Sequence, residues 1–195
     1  QSRIRPHFLF NSMNIIASLI HVDPDKAEQA VEDLSELFRA SLKEAGVEVS
    51  LKQELELCKK YVHIESLRLG ARLQVVWNIT APLEIKIPML TLQPIIENAI
   101  YYGIQPRADG GKVKIDITYN SNKVIILVTN PLPPQAPSAR NEKGNQMALE
   151  NIRHRLHALY GEGVTMDALQ ETKKFIMKIS YPCDLPSSMA KGKRS

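Results

Sequence analysis

The sequence predicts an α+β protein, with an N-terminal helical bundle followed by an α/β sandwich of sheet and helices. Three observations carry that expectation. The first third of the chain repeats its apolar residues at helical spacing. After Gly70 the period changes to the alternation of strands, beginning at "LQVVWNI". Two further helical stretches lie among those strands, which reads as an α+β layer of sheet and helices.

Taken in order, residues 3–22 form one helical pattern and 23–46 a second. Asp23 can cap the second helix, Pro24 fits its first turn, and Gly46 is its expected stop. "SLKQELELCKKYVHIESLRLG" is a third helix. Ser50 and Gln53 are spaced as a capping box, and Gly70 closes it. "KVKIDITYN" and "NKVIILVTN" read as a hairpin turning at Asn120-Ser121-Asn122. The helix "TLQPIIENAIYYGI" precedes that hairpin, and "MALENIRHRLHALYG" follows a polar, proline-rich loop expected to be either a lid or a disordered linker. Strands around "VTMDAL" and "KFIMKISY" complete the sheet. The expected organisation is a helical region over 1–70, a sheet-and-helix region over 71–183 and a disordered basic tail over 184–195.

Composition narrows the function. The chain has 195 residues, 44% hydrophobic and 24% charged, with a net charge of +4, enough to bury a sizeable core. Part of the positive charge lies in the terminal "KGKR", with no nucleic-acid motif beside it, so no direct nucleic-acid partner is expected. Two distant cysteines without a CxxC argue for a reducing compartment and against a zinc or disulfide scaffold. No stretch has the apolar length of a membrane span. The chain begins at Gln1 and reads as a fragment, with any membrane segments upstream.

Two stretches carry chemistry. At about 100° per residue, His7, Asn11, Asn14, Ser18 and His21 fall on one narrow stripe of the first helix. Ile4, Phe8, Ile15, Leu19 and Val22 line one flank, and Leu9, Met13, Ile16 and Ile20 cover the back. A helix apolar over most of its circumference needs several partners, which suggests a bundle shared between two subunits. The stripe keeps the His7 imidazole at the surface, where it is a competent nucleophile, the alternative being that it caps a packing seam. Asn11, one turn away, can either hydrogen-bond the ring or act as a structural cap. The second stretch is "QPIIENAIYYGI", where Gln93, Glu97, Asn98, Tyr101 and Tyr102 share a face. Glu97 supplies a carboxylate able to accept or orient a proton, and the Asn98 amide oxygen suits a hard cation such as Mg²⁺.

"RPHFLFNSMN", "LTLQPIIENAI" and "NIRHRL", in that order behind a helical hairpin, resemble the LytS-type sensor histidine kinases. Within that family the chain is similar to the atypical branch linked to alginate biosynthesis and twitching motility. The resemblance implies a phosphoacceptor-histidine bundle joined to a GHKL (Bergerat-type) ATPase-like domain. It implies a membrane-anchored homodimer that uses ATP and Mg²⁺ and passes a phosphoryl group to a LytTR-type response regulator. By position, His7 is the implied phosphoacceptor, Asn98 the Mg²⁺ ligand and Glu97 the neighbouring base. Asn130, Gly144, Asn145 and Asn151 are the further implied nucleotide-contacting positions.

The departures from the family pattern point to a degenerate nucleotide site. Thr129 stands where the family carries the aspartate that reads adenine, and Pro131 where it carries a glycine. Pro131 fixes φ and removes a donor. Gln146 and Ala148 replace the glycines of the second box, which let a backbone approach phosphate closely. Tyr101 and Tyr102 replace a Lys-His pair. At about 1–3 kcal/mol for each lost hydrogen bond, these changes could weaken a micromolar site to millimolar. The competing expectation is a dimeric scaffold that controls its response regulator without ATP.

Overall fold

A computed structural model of the chain describes residues 5–43, 47–133 and 139–185, with the side chains of 139–148 left out of that description. Three helices come first: α1 (Pro6–Leu19), α2 (Pro24–Ser41) and α3 (Leu51–Leu69). Asp23 caps α2 by accepting the Lys26 N–H at 3.2 Å, and the capping box at Ser50 and Gln53 is closed in both directions. Gly70 follows α3 with φ +55° and ends it as expected. α2 stops at Ser41, short of the expected Gly46, which lies outside the described residues together with positions 3 and 4 of the first helical pattern.

Five strands form one sheet, in the order β2 (Leu73–Ile79), β4 (Gly111–Asn120), β5 (Lys123–Pro131), β7 (Lys174–Pro182), β6 (Thr165–Gln170). β2 runs parallel to β4, and every other neighbouring pair is antiparallel. The β4–β5 hairpin turns at Ser121 and Asn122, both at positive φ, with Asn120 paired to Lys123. That is the two-residue turn whose twist matches flanking strands. Two three-residue strands, β1 (Glu48–Ser50) and β3 (Lys86–Pro88), pair separately. The Tyr181 hydroxyl donates to the Lys86 carbonyl at 3.1 Å, and the Tyr160 hydroxyl to Glu48 at 2.6 Å, so both short strands are tied to the main body.

Alternate residues of the central strands, Val113, Ile115 and Ile117, Val124, Ile126 and Val128, Met177 and Ile179, are buried on one face of the sheet. α4 (Leu92–Gly103) and α5 (Ala139–Tyr160) also bury apolar faces, through Ile96, Ile100, Ile152 and Leu156. α5 begins at Ala139, eight residues before the expected Met147. The segment "ARNEKGNQ" is mostly good helix former, and its one glycine costs only about 1 kcal/mol. One buried cluster runs from Phe8 to Cys183, so the helical hairpin and the sheet layer share a core. Among the described residues no helix is long and apolar enough to cross a membrane. The tail beyond Leu185 lies outside the described residues.

Candidate active site

The start of α1 is fixed by Pro6 in its first turn, with Arg5 as an extended N-cap. From there the side chains divide by face. Phe8 points inward and packs on the Tyr61 ring of α3 at 4.8 Å between centroids. Ser12 is buried beneath it, its hydroxyl donating to the Phe8 carbonyl at 2.7 Å. His7 points outward and is exposed. The Asn11 side chain reaches the ring, with Nδ2 3.1 Å from His7 Nδ1. α1 and its C-cap also leave Phe10 at 66% exposure, Met13 at 55% and Ile20 at 50%, so part of this apolar surface is left open among the described residues.

α4 presents the carboxylate and the amide. Its start is built by residues from elsewhere. Leu90 adopts φ +59°, rare for a branched side chain. The fully buried Glu54 of α3 holds the helix entry by accepting the Leu90 N–H at 2.9 Å and the Leu92 N–H at 2.8 Å. From the other side, the Arg155 guanidinium of α5 donates to the carbonyls of Met89 at 2.9 Å and Leu90 at 2.8 Å. One peptide turn is thus gripped by an acid and a base from two different helices.

One turn further, the face that carries Gln93, Glu97 and Asn98 is buried rather than solvated. Gln93 donates to Glu97 at 2.9 Å. The Arg5 side chain covers the rest: its guanidinium donates to Asn98 Oδ1, pairs with Glu97 Oε2 at 3.7 Å, and stands 5.0 Å over the Tyr101 ring. Arg5 therefore brings the start of α1 onto α4. His7 follows two residues later, within about 7 Å of the Arg5 backbone.

Burial pushes the Glu97 carboxyl above the ordinary carboxylate range, while the Gln93 hydrogen bond and the Arg5 charge pull it back and Glu65 adds to the rise. Tyr61, fully buried beside Glu97 and Glu65, is pushed well above the usual phenol range. A carboxyl with a raised folded pKa binds its proton more tightly in the folded state. Its stabilising contribution is complete below the unfolded value of about 4.5 and is lost as pH rises through the folded pKa. Urea unfolding at pH 4 to 8 should therefore show wild type losing stability relative to Glu97→Gln as pH rises. The expected loss is about 1.4 kcal/mol for each unit of elevation. A pH-independent difference between the two proteins would contradict the assignment.

Oxygen donors at Glu97 and Asn98 have the chemistry a hard divalent cation requires. Gln93 Oε1 is buried without a hydrogen-bond partner among the described residues and is a further oxygen able to face a cation. Asn98 Nδ2 is likewise unpartnered, but as an N–H donor it suits an anionic acceptor and not a metal. The donor set therefore fits Mg²⁺, with the Arg5 guanidinium now lying against the same two side chains.

The other implied positions are distributed differently. Asn130 is buried at the far end of α4, donating to the Pro131 carbonyl at 2.8 Å. A Cβ at Gly103 would stand 2.5 Å from Asn130 Nδ2, so α4 and β5 are in direct contact there. Asn130 thus packs between elements. Thr129 is half-buried mid-sheet, opposite Lys114 and Ile176. Asn151 is exposed on α5, next to the buried Ile152. Gly144 and Asn145 fall within the α5 span, and their side chains lie outside the described residues, as do those of Gln146 and Ala148. Arg5, Glu54, Glu65 and Arg155 were not legible as site residues. Glu54 and Glu65 did leave a trace, as acids on the Leu51–Leu55–Cys58–Ile64–Leu69 core face of α3.

An exposed histidine on a helical hairpin, sharing one core with a carboxylate–amide helix and a mixed sheet, is an arrangement also seen in the fold of solved histidine kinases. The Acinetobacter baumannii histidine kinase AdeS superimposes with a TM-score of 0.52 over 94% of this chain and 88% of that one, at 19% identity, and bears out that fold. Residues 1–73 match the histidine kinase family. The chain is 37% identical over 177 residues to sensor histidine kinase YpdA of Escherichia coli, covering 87% of this chain and 31% of the relative. It is also 37% identical over 187 residues to sensor protein LytS of Oceanobacillus iheyensis, covering 89% and 32%. The helical portion is thus similar to the histidine kinase family, and most of the chain is similar to LytS-type sensor histidine kinases. The chain spans about a third of the length of these curated relatives.

Proposed function

We propose that this chain is the phosphotransfer and ATPase-like portion of a two-component sensor histidine kinase. Residues 1–70 form its dimerisation and phosphoacceptor region, and residues 71–183 its GHKL portion. The observation that carries this reading is that Arg5, two residues before the exposed His7, reaches the buried Glu97–Asn98 pair of α4, so the helix with the histidine and the helix with the carboxylate and amide are linked in one chain.

In the proposed reaction an imidazole nitrogen of His7 attacks the γ-phosphorus of ATP, the bond to the β,γ-bridging oxygen breaks, and ADP leaves. The remaining ring N–H proton passes to Glu97, whose raised carboxyl pKa makes it a better base than an ordinary surface acid. Asn98 would hold Mg²⁺, which would supply charge neutralisation for the phosphates. His7 lies in the first turn of α1, where the helix dipole favours a phosphoryl group on the ring. The acceptor from His7 is an aspartate of a response regulator, of the LytTR type by family resemblance. The exposed Phe10, Met13 and Ile20 supply apolar surface for a second copy. Membrane anchoring would come from segments outside this chain. Within the family, the branch tied to alginate biosynthesis and twitching motility is the finer assignment.

The nucleotide site is read as degenerate: Thr129 lacks the carboxylate for adenine, and Asn130 is engaged with Pro131 and Gly103. That same observation favours a second reading, a scaffold that binds its regulator without ATP. Incubation with Mg²⁺ and γ-labelled ATP separates the two. Acid-labile label that disappears in His7→Gln is the expected result. Absence of both label and calorimetric heat at millimolar ATP would leave the scaffold.

A further inference from the structure

We propose that Arg5 fills the cation seat of the Glu97–Asn98 site, so that docking of the α1 start on α4 and binding of a divalent cation–nucleotide there exclude one another. The inference rests on the nucleotide reading above and adds a residue that sets the affinity of that site.

One guanidinium meets three side chains of a single α4 face. It donates to Asn98 Oδ1, pairs with the Glu97 carboxylate, and covers the Tyr101 ring. The first two are the oxygen donors a hard cation would need, and the third is an aromatic face suited to a planar cation. A guanidinium is charged at every accessible pH and planar, so it satisfies a carboxylate, an amide oxygen and a ring together. A divalent ion entering the same oxygens would stand within a few ångströms of that fixed positive charge. The guanidinium has to leave.

Its departure is felt at His7, because Arg5 is also the N-cap of α1. Phe8 on Tyr61 and Ser12 beneath it still hold the helix, so release frees the first turn and not the whole element. Binding linkage makes the effect reciprocal. A cation–nucleotide that displaces Arg5 loosens the turn carrying His7, and a partner protein that draws that turn away tightens nucleotide binding by the same factor. Arg5 thereby connects the exposed His7 surface to the buried carboxylate–amide pair.

The opposite role, a phosphate-binding arginine, predicts the opposite sign. The test is calorimetric titration of the 195-residue chain with Mg²⁺ and the non-hydrolysable analogue AMP-PNP, together with amide hydrogen exchange in the absence of ligand. Arg5→Ala should bind about tenfold more tightly than wild type, a coupling within the usual range for linked sites. Its exchange at residues 8–12 should be about tenfold faster without ligand, a difference on the scale of local opening equilibria. Arg5→Lys, which keeps the charge but loses the planar fork, should fall between the two. Weaker binding by Arg5→Ala would make Arg5 a phosphate ligand and overturn the proposal. Equal binding, or unchanged exchange, would overturn it while leaving the nucleotide reading intact. No heat with either protein would overturn both.

Discussion

Glu54→Ala should lower the unfolding free energy by about 3–5 kcal/mol, as expected when one partner of a buried charged network is removed. Glu54 accepts the N–H groups of Leu90 and Leu92 on separate oxygens, so truncation leaves two buried donors unpaired. Each such donor costs about 1–3 kcal/mol. Leu90 would also lose one of the two grips that keep it at φ +59°, the Arg155 contact being the other. Glu54→Gln should recover little, because its amide would turn a donor towards one of the two backbone donors. Burial raises the Glu54 carboxyl pKa, and the backbone N–H groups of residues 90–93 oppose that rise. Against a total stability of about 5–15 kcal/mol, either substitution should shift the urea midpoint visibly. A loss below about 1 kcal/mol would mean that the α4 entry holds its shape without the carboxylate.

Much of this framework is legible in the sequence because it is local. The capping box at Ser50, the proline and cap at the start of α2, and the Asn120–Asn122 turn each depend on residues within four positions of one another. The boundaries of β2 follow from alternation alone. What the sequence hides is long-range. Arg5 and Asn98 are 93 positions apart, and Glu54 and Leu92 are 38 apart. No period links such pairs. β1 and β3, at three residues each, are too short to show an alternation and exist because each completes the other. The start of α5 is misread because "NEKGNQ" is polar, and a polar helix face resembles a loop until its packed face, Ile152 and Leu156, is known. The site divides the same way. His7, Glu97 and Asn98 stand out by type and spacing, whereas the cation beside them is seen only after folding. Asn130 has the right residue type but packs between α4 and β5.

Gly110→Ala should be the other severe substitution, with Gly161→Ala as its internal control. Both glycines have positive φ, +66° and +68°, so both variants carry the left-handed backbone penalty of about 1–2 kcal/mol. They differ in what a methyl group meets. At Gly161 nothing lies within 4 Å, whereas a Cβ at Gly110 would stand 2.1 Å from the Arg72 carbonyl oxygen and 2.5 Å from its Cα. That neighbour is backbone and cannot rotate aside. It sits in the short turn Gly70–Arg72 between α3 and β2, one residue before Leu73 pairs with Gly111. The turn is further held by Arg107, which donates to the Gly110 carbonyl at 3.0 Å and accepts from Arg72 at 3.2 Å. Making room at Gly110 therefore means moving the first residues of the parallel β2–β4 pair, and with them the end of the helix that carries Glu54 and Tyr61. Overpacking of this kind adds about 1–3 kcal/mol to the backbone penalty, so Gly110→Ala should lose at least about 2 kcal/mol more than Gly161→Ala. Paired urea melts measure that difference directly. Equal losses would mean that the Arg72 backbone yields freely, and that β2 owes its position to its side chains rather than to this close approach.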